Sequence, residues 1–240
     1  MVKVTVWHET VPAEESEGVR KVYPEGLGAA VAAFLKVENF QTRCAYLGEK
    51  DDGLPEEVLR DTDALIWWGH GKHHLVSDET VKRVVEYVNR GMGAIFLHSA
   101  HLAKPFKALL GTSCTLQWRE AGEREIVWAV NPAHPIAAGL DAHFTIEHEE
   151  MYGEPFDIPE PDELVFIGWF KGGNVFRCGA AYRRGRGKVF YFQPGHETYP
   201  VYRQKEVRHV ICNAVRWAAP VSVAAPLTCP HAKNSIETLT

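Results

Sequence analysis

Twelve histidines in 240 residues are the chemically conspicuous feature of this sequence. Imidazole is the side chain that most readily exchanges protons or binds a transition metal near neutral pH. The rings are bunched. His8 follows the run KVTVW, His70, His73 and His74 follow ALIWW, His98 and His101 follow GAIFL, and His196 follows KVFYFQ. If these runs are strands of one parallel sheet, each delivers a histidine to the carboxyl edge, where open α/β sheets bind ligands. A single histidine at a strand end is an ordinary hydrogen-bonded loop residue; several meeting at one edge make a pocket. His70, His101 and His196 could there hold a divalent cation such as Zn²⁺, because three protein ligands with an open position is the catalytic zinc arrangement. The alternative is that the rings bond each other and a substrate with no metal. A second cluster, Glu147, Glu149 and Glu150 around His148, precedes MYGEPF, which reads as a loop rather than an exposed helix. Glu150 is the candidate acid or base, since a partly desolvated glutamate is tuned toward working pH.

The segment GAIFLHSAH turns from strand to helix through small residues, like a nucleophile elbow. In the class I glutamine amidotransferase-like fold that elbow carries the pattern G-x-C-x-G-x-Q. Laid on that pattern, His98 stands at the nucleophile position, and YFQPGHE brings His196 and Glu197 to the place of the triad histidine and its partner. Glutaminase chemistry needs a thiolate, and none of Cys44, Cys114, Cys178, Cys212 and Cys229 lies in the elbow. Their odd number, wide scatter and lack of a C-x-x-C pair also exclude a disulfide framework and a zinc ribbon.

The elements that must position these residues alternate in the first half. Strands are expected over 3–7, 43–47, 64–68 and 93–97, and helices over 26–37, 55–60, 78–90 and 100–110. Such alternation implies right-handed crossovers and a mostly parallel sheet covered by helices on both faces. After Gly111 the strands expected over 115–118, 125–130, 144–147, 163–170, 174–182 and 188–193 have no long helices between them. They suggest an antiparallel extension of the parallel core. A last helix spans 201–217, and residues 220–240 read as a tail beside a single domain over 1–219. Trp7, Trp67 and Trp68 are expected in the core, with Trp118 and Trp169 at a rim. The basic turn RRGRGK at 183–188 is either a solvated hairpin turn or a phosphate contact, and His134 is structural. With 26 Lys+Arg against 31 Asp+Glu the chain is mildly acidic, without the basic stripe of a nucleic-acid binder. No apolar run approaches the roughly 20 residues of a membrane span. The N-terminus lacks the apolar core of a signal peptide, so a cytoplasmic address is expected.

Several segments in order carry a resemblance: VTVWHE, YPEGL at 23–27, WWGHGKHH at 67–74, GMGAIFLHSAH at 91–101, HPIAAGL at 134–140, HEEMYGEPFDIP at 148–159, GGNVFRCG at 172–179 and GKVFYFQPGHETYP at 187–200. Together they resemble the ThuA-like (trehalose-utilisation) family of the glutamine amidotransferase-like superfamily. The resemblance implies a flavodoxin-like three-layer α/β/α sandwich and a role in the catabolism of disaccharides or their keto derivatives. It makes His70, His73, His98, His101, Glu149, Glu150, Tyr152 and His196 the polar members of the motifs. The chain departs from the family pattern at Gly28, where a histidine is usual. On this reading His98, Glu150, Tyr152 and Glu197 are the catalytic candidates, and His73, Ser99, Glu149 and Trp118 the substrate contacts. His70, His101 and His196 are the candidate ligands of Zn²⁺. The partner expected is a small sugar, with no nucleotide cofactor, nucleic acid or membrane, and a homo-oligomer is compatible. The reaction would be isomerisation or hydrolysis. The rival reading is a non-catalytic sugar-sensing or partner-binding module on an amidotransferase scaffold that has lost its cysteine.

Overall fold

The computed structural model describes residues 1–220, 229, 231–235 and 237; apart from those positions, the tail expected over 220–240 lies outside the described residues. The strands are β1 (Lys3–His8), β2 (Gln41–Tyr46), β3 (Ala64–Trp68), β4 (Gly93–Leu97), β5 (Gln117–Ala129), β6 (His143–Gly153), β7 (Glu163–Phe170), β8 (Val175–Arg184) and β9 (Gly187–Phe192). They form one nine-stranded sheet in the order β2-β1-β3-β4-β9-β8-β7-β5-β6. From β2 to β9 the pairing is parallel; from β9 outward through β8, β7, β5 and β6 it is antiparallel. The antiparallel strands therefore extend the parallel core within the same sheet. The helices are α1 (Glu17–Val22), α2 (Leu27–Val37), α3 (Glu56–Arg60), α4 (Asp78–Arg90), α5 (Lys104–Leu110) and α6 (Lys205–Ala218). Side chains of α2 and α6 meet on one side of the sheet, where Arg208 covers the Phe34 ring, while α4 packs against α3 and α5. Among the described residues no helix is long and apolar enough to cross a membrane.

The strand period of two decides which side chains reach the core. Trp7 pairs with Trp67 across β1 and β3, and their rings stack at 3.8 Å with Phe96 tilted against Trp67. One residue further along, His8 pairs with Trp68 on the opposite face, its ring flat on the indole at 4.6 Å. β3 and β4 are buried at every position, as strands covered on both faces must be. Helix α4 begins where the Ser77 hydroxyl accepts the Thr80 N–H at 3.2 Å, and ends at Gly91 with φ of +131°.

Five elements differ from the sequence expectation. The helix expected over 100–110 is a 3₁₀ turn at His98–Leu102 followed by α5; Pro105 has no N–H to donate and so sits in the first turn of a new helix. Two expected strands fuse into β5 across register shifts between Arg119 and Glu125, near Gly122 with φ of +58°. β6 runs to Gly153, so the acidic run lies on a strand rather than in a loop. The last helix is preceded by a separate turn, Val201–Arg203. Helix α1 is too short to show periodicity and buries only Val19.

Candidate functional site

The site forms where β4 and β9 end beside β6. His98, the first residue after β4, is fully buried and holds a left-handed backbone with φ of +51°. Such a conformation costs a non-glycine residue about 1–3 kcal/mol and is characteristic of functional turns. The Tyr191 hydroxyl donates to the His98 carbonyl at 2.9 Å and fixes the turn. The ring is held at Nδ1, 2.9 Å from the Gln193 carbonyl oxygen. That bond assigns the Nδ1 proton and aims Nε2 at Glu150, whose Oε2 lies 3.1 Å away. The contact is an ion pair off the axis of a hydrogen bond, so Oε2 keeps a lone pair for another proton or a cation. Burial works against the His98 cation, but Glu150 together with the charges of Glu149 and Glu197 pushes its pKa up to about 9. Burial opposes the Glu150 anion, but the His98 contact, with the nearby His196, brings it below the usual carboxylate range, the reverse of the upward tuning expected from sequence, because its cationic neighbour outweighs desolvation. At neutral pH the pair is therefore charged.

Tyr152 stacks on His98 with ring centres 5.0 Å apart. Its hydroxyl is 2.9 Å from the Ser99 hydroxyl and 3.5 Å from His98 Nε2. His196 stands edge-on to His98 at 5.4 Å. Its Nδ1 is 3.0 Å from the Thr198 hydroxyl, and burial beside the His98 charge keeps its pKa below the usual histidine value. His70 lies 6.0 Å from His196 and 6.4 Å from His98, ring to ring. It pairs with Glu197 Oε1 at 2.9 Å, which raises its pKa against the partial desolvation of this half-exposed ring. Burial opposes the Glu197 anion, but that pair and the other histidine charges draw it down to about 2.

Among the described residues, the ligand atoms that converge are those of His98, Glu150 and His196, all within 4.8 Å of one another. Of the three histidines named as ligands from sequence, His196 is in this set. His70 commits Nδ1 to Glu197. His101 commits Nδ1 to the Cys114 carbonyl at 2.7 Å and lies edge-on against Tyr152; burial lowers its pKa to about 4, leaving it neutral. Glu149 is wholly buried, and its carboxylate accepts N–H bonds from Glu150 at 2.8 Å, Gly195 at 2.7 Å and His196 at 3.2 Å. It clamps the turn after β9 to β6. Burial raises its pKa to about 7 against those bonds and the His98 charge. His73 lies against Gly69 with Nε2 buried and unbonded. Trp118 is exposed, paired across β5 and β6 with Tyr152. The basic turn lies at the start of β9, the opposite end of that strand from the site, with Arg184 and Lys188 bound to the carbonyls of Leu109 and Trp217. Sequence reasoning assigned no role to Glu120 or Tyr199. Their bond at 2.9 Å puts a tyrosine ring 5.0 Å from His196 and a carboxylate 3.9 Å from its Nε2.

The sequence profile of the family described as ThuA, trehalose utilisation, matches residues 3–218. The chain belongs to the ThuA family. Its fold is similar to that of a ThuA-like protein from Parabacteroides merdae, at 14% identity with a TM-score of 0.67, covering 94% of this chain and 92% of that one. A cytoplasmic protein from Salmonella typhimurium superposes at 13% identity and TM-score 0.63, over 92% of this chain and all of that one. PurLQS from Thermotoga maritima matches at 12% identity and TM-score 0.56, over 90% and 98% of the two chains. No curated protein matches the sequence. The chain thus has the mixed α/β fold shared with amidotransferase-like proteins, with a histidine in the turn after β4. Cys114 and Cys178 are buried, with thiols raised by that burial, and neither belongs to the convergent set.

Proposed function

We propose that this ThuA-family chain is an enzyme of carbohydrate catabolism that acts on a disaccharide or keto-sugar, working in the cytoplasm. The observation that carries the reading is the buried His98–Glu150 ion pair at 3.1 Å on the turn after β4. A cation and an anion held against burial are an acid and a base already sorted. Glu150 takes a proton from the carbon beside a sugar carbonyl, while His98 and the Tyr152 hydroxyl donate toward the carbonyl oxygen that gains charge. Returning that proton to the former carbonyl carbon, while the hydroxyl on the deprotonated carbon gives its own proton to the now neutral His98 and becomes the new carbonyl, completes an isomerisation. Glu197 acts by holding His70, which with Ser99, His73 and Trp118 contacts the remaining hydroxyls; Glu149 holds the turn that carries His196.

A second reading, hydrolysis, is favoured by the convergence of His98, Glu150 and His196 within 4.8 Å. Two imidazoles and a carboxylate suit Zn²⁺, and the Nδ1 bond of His98 to a backbone carbonyl is the usual outer support of a metal-binding histidine. Zn²⁺ would polarise an oxygen or activate water. Both readings are tested by incubating the protein with a keto-disaccharide in D₂O, with Zn²⁺ or with EDTA, and following the proton spectrum. Loss of the signal beside the carbonyl marks proton abstraction, and new sugar signals accompanying it mark isomerisation; release of monosaccharides marks hydrolysis. Neither change under either condition would overturn the catalytic reading and leave a sugar-binding module.

A further inference from the structure

The reaction centre is closed to solvent. His98 is fully buried, Ser99 and Tyr152 are 3% exposed, and Glu150 and His196 are 4% exposed. A substrate carbonyl must still come within bonding distance of His98 and Glu150, so part of the wall has to move. Most of that wall is fixed. β4 and β9, which carry His98 and the turn to His196, are each paired with a strand on both sides. Behind His70, the Glu9 carboxylate holds the N–H groups of Gly71 and Lys72 at 2.9 and 2.8 Å. The remaining wall is the first half of β5.

There β5 pairs with β6 at Arg119–Met151 and again at Glu123–Glu149, so Glu120, Ala121 and Gly122 face Glu150 alone. On its other side β5 is paired with β7 from Glu125 onward, beyond these three residues. Three residues opposite one make a bulge, a device that re-aims side chains beside active sites. Gly122 turns the bulge with φ of +58°, and Arg119 Nε closes its base on Glu123 Oε1 at 2.5 Å. The side chain it re-aims is Glu120, 47% exposed, whose Oε1 stands 3.9 Å from Nε2 of the buried His196. The Tyr199 hydroxyl donates to that oxygen at 2.9 Å, and the Tyr199 ring lies 5.0 Å from that of His196. Tyr199 follows β9, so this bond ties the bulge to the opposite wall beside His196. A segment outside the ladder, held by side-chain bonds at the surface, is where local opening needs least free energy.

We propose that residues 120–122 are a gate over the His98–Glu150 pair, latched by the Tyr199–Glu120 hydrogen bond. Open, the gate admits the substrate; closed, it keeps water out while the substrate carbon is deprotonated. The proposal rests on the function assigned above and adds how access to that site is controlled. Diethyl pyrocarbonate tests it without a substrate. The reagent acylates neutral imidazole, and burial beside the His98 charge keeps His196 neutral at neutral pH. Peptide mass spectrometry follows His196 against His143, which is exposed at the far end of β6. Alkylation of the fully buried Cys178 by iodoacetamide reports any general loosening. Tyr199→Phe keeps the ring and removes the latch. His196 modification is expected to accelerate about tenfold, one hydrogen bond's worth, with the His143 and Cys178 rates unchanged. An unchanged His196 rate, or one that rises together with Cys178, overturns the gate, as does a wild-type His196 that reacts as fast as His143. Should Tyr199→Phe not fold, the wild-type protein is modified at urea concentrations below its unfolding midpoint. A local opening exposes little surface, so the His196 rate should stay nearly flat; a rise parallel to that of Cys178 overturns the gate. Gated modification in a protein that turns over no keto-sugar removes the proposed reaction and keeps the gate, whereas turnover with an ungated His196 does the reverse.

Discussion

Replacing Glu125 with leucine is expected to stabilise the protein, and by more as the pH rises. Glu125 lies on β5, completely buried, and neither carboxyl oxygen has a hydrogen-bond partner. The side chain fills the space over Gly168 on β7, where an added Cβ would stand 2.2 Å from Oε1. Burial, with the Glu149 charge, pushes its pKa well above 4.5. The folded protein therefore keeps a proton that the unfolded chain releases above pH 4.5. With fewer protons on the unfolded chain, the unfolding free energy falls by about 1.4 kcal/mol per pH unit until the buried carboxyl itself ionises. The unbonded polar atoms add a pH-independent cost of about 1–3 kcal/mol. Leucine is similar in size and removes both. Urea unfolding of wild type and Glu125→Leu at a series of pH values from 4.5 to 7 measures the difference. A gap that does not widen over that range, or a variant less stable near pH 6, would refute the reasoning. The Gly168 contact adds a check: Gly168→Ala should be severely destabilising alone and much less so combined with Glu125→Ala.

Glu150→Gln removes the anion nearest His98, so in metal-free protein the histidine pKa should fall from about 9, as ring nitrogen shifts would report; an unchanged value would sink the ion-pair account. Because His98 is raised on folding, its contribution to stability is complete below pH 6.5 and disappears as pH rises through about 9. The stability advantage of wild type over Glu150→Gln should narrow across that window in urea titrations. Tyr152→Phe loses the Ser99 bond and a donor to the substrate; kcat should drop by about 10²-fold while unfolding free energy changes by about 1 kcal/mol, and wild-type kcat would exclude the hydroxyl from the reaction. On the hydrolytic reading, elemental analysis of protein purified without a histidine tag should find zinc near one per chain. His196→Ala and Glu150→Gln should each lose it, and stoichiometric zinc in both variants would move the metal elsewhere. Zinc affinity should climb with pH, since the metal competes with the proton on His98.

The parallel half of the sheet is legible because its strands are short apolar runs bounded by turn residues, and buried strands leave no other pattern. The antiparallel half is harder to read. β5 has polar residues exposed along its first half, so hydrophobicity marks two fragments of one strand. β6 hides behind three glutamates because two of them, Glu149 and Glu150, are buried and polar at once. Alternation along a strand is read from the contrast between apolar and polar residues, and a functional strand gives up that contrast. The same blindness applies within the site. Adjacent glutamates look equivalent in sequence, yet Glu149 spends its carboxylate on backbone N–H groups of the turn after β9, while Glu150 points at His98. His98, His101 and His196 are equally visible at strand ends, but the partner of each Nδ1 decides what its Nε2 can do. Those partners are the Gln193 and Cys114 carbonyls and the Thr198 hydroxyl, and two of the three are backbone atoms that no residue name records. Which strand ends carry chemistry is thus a matter of side-chain type, readable at once. Which nitrogen meets which carboxylate is a matter of register between β6, β4 and β9, and only the folded sheet supplies it.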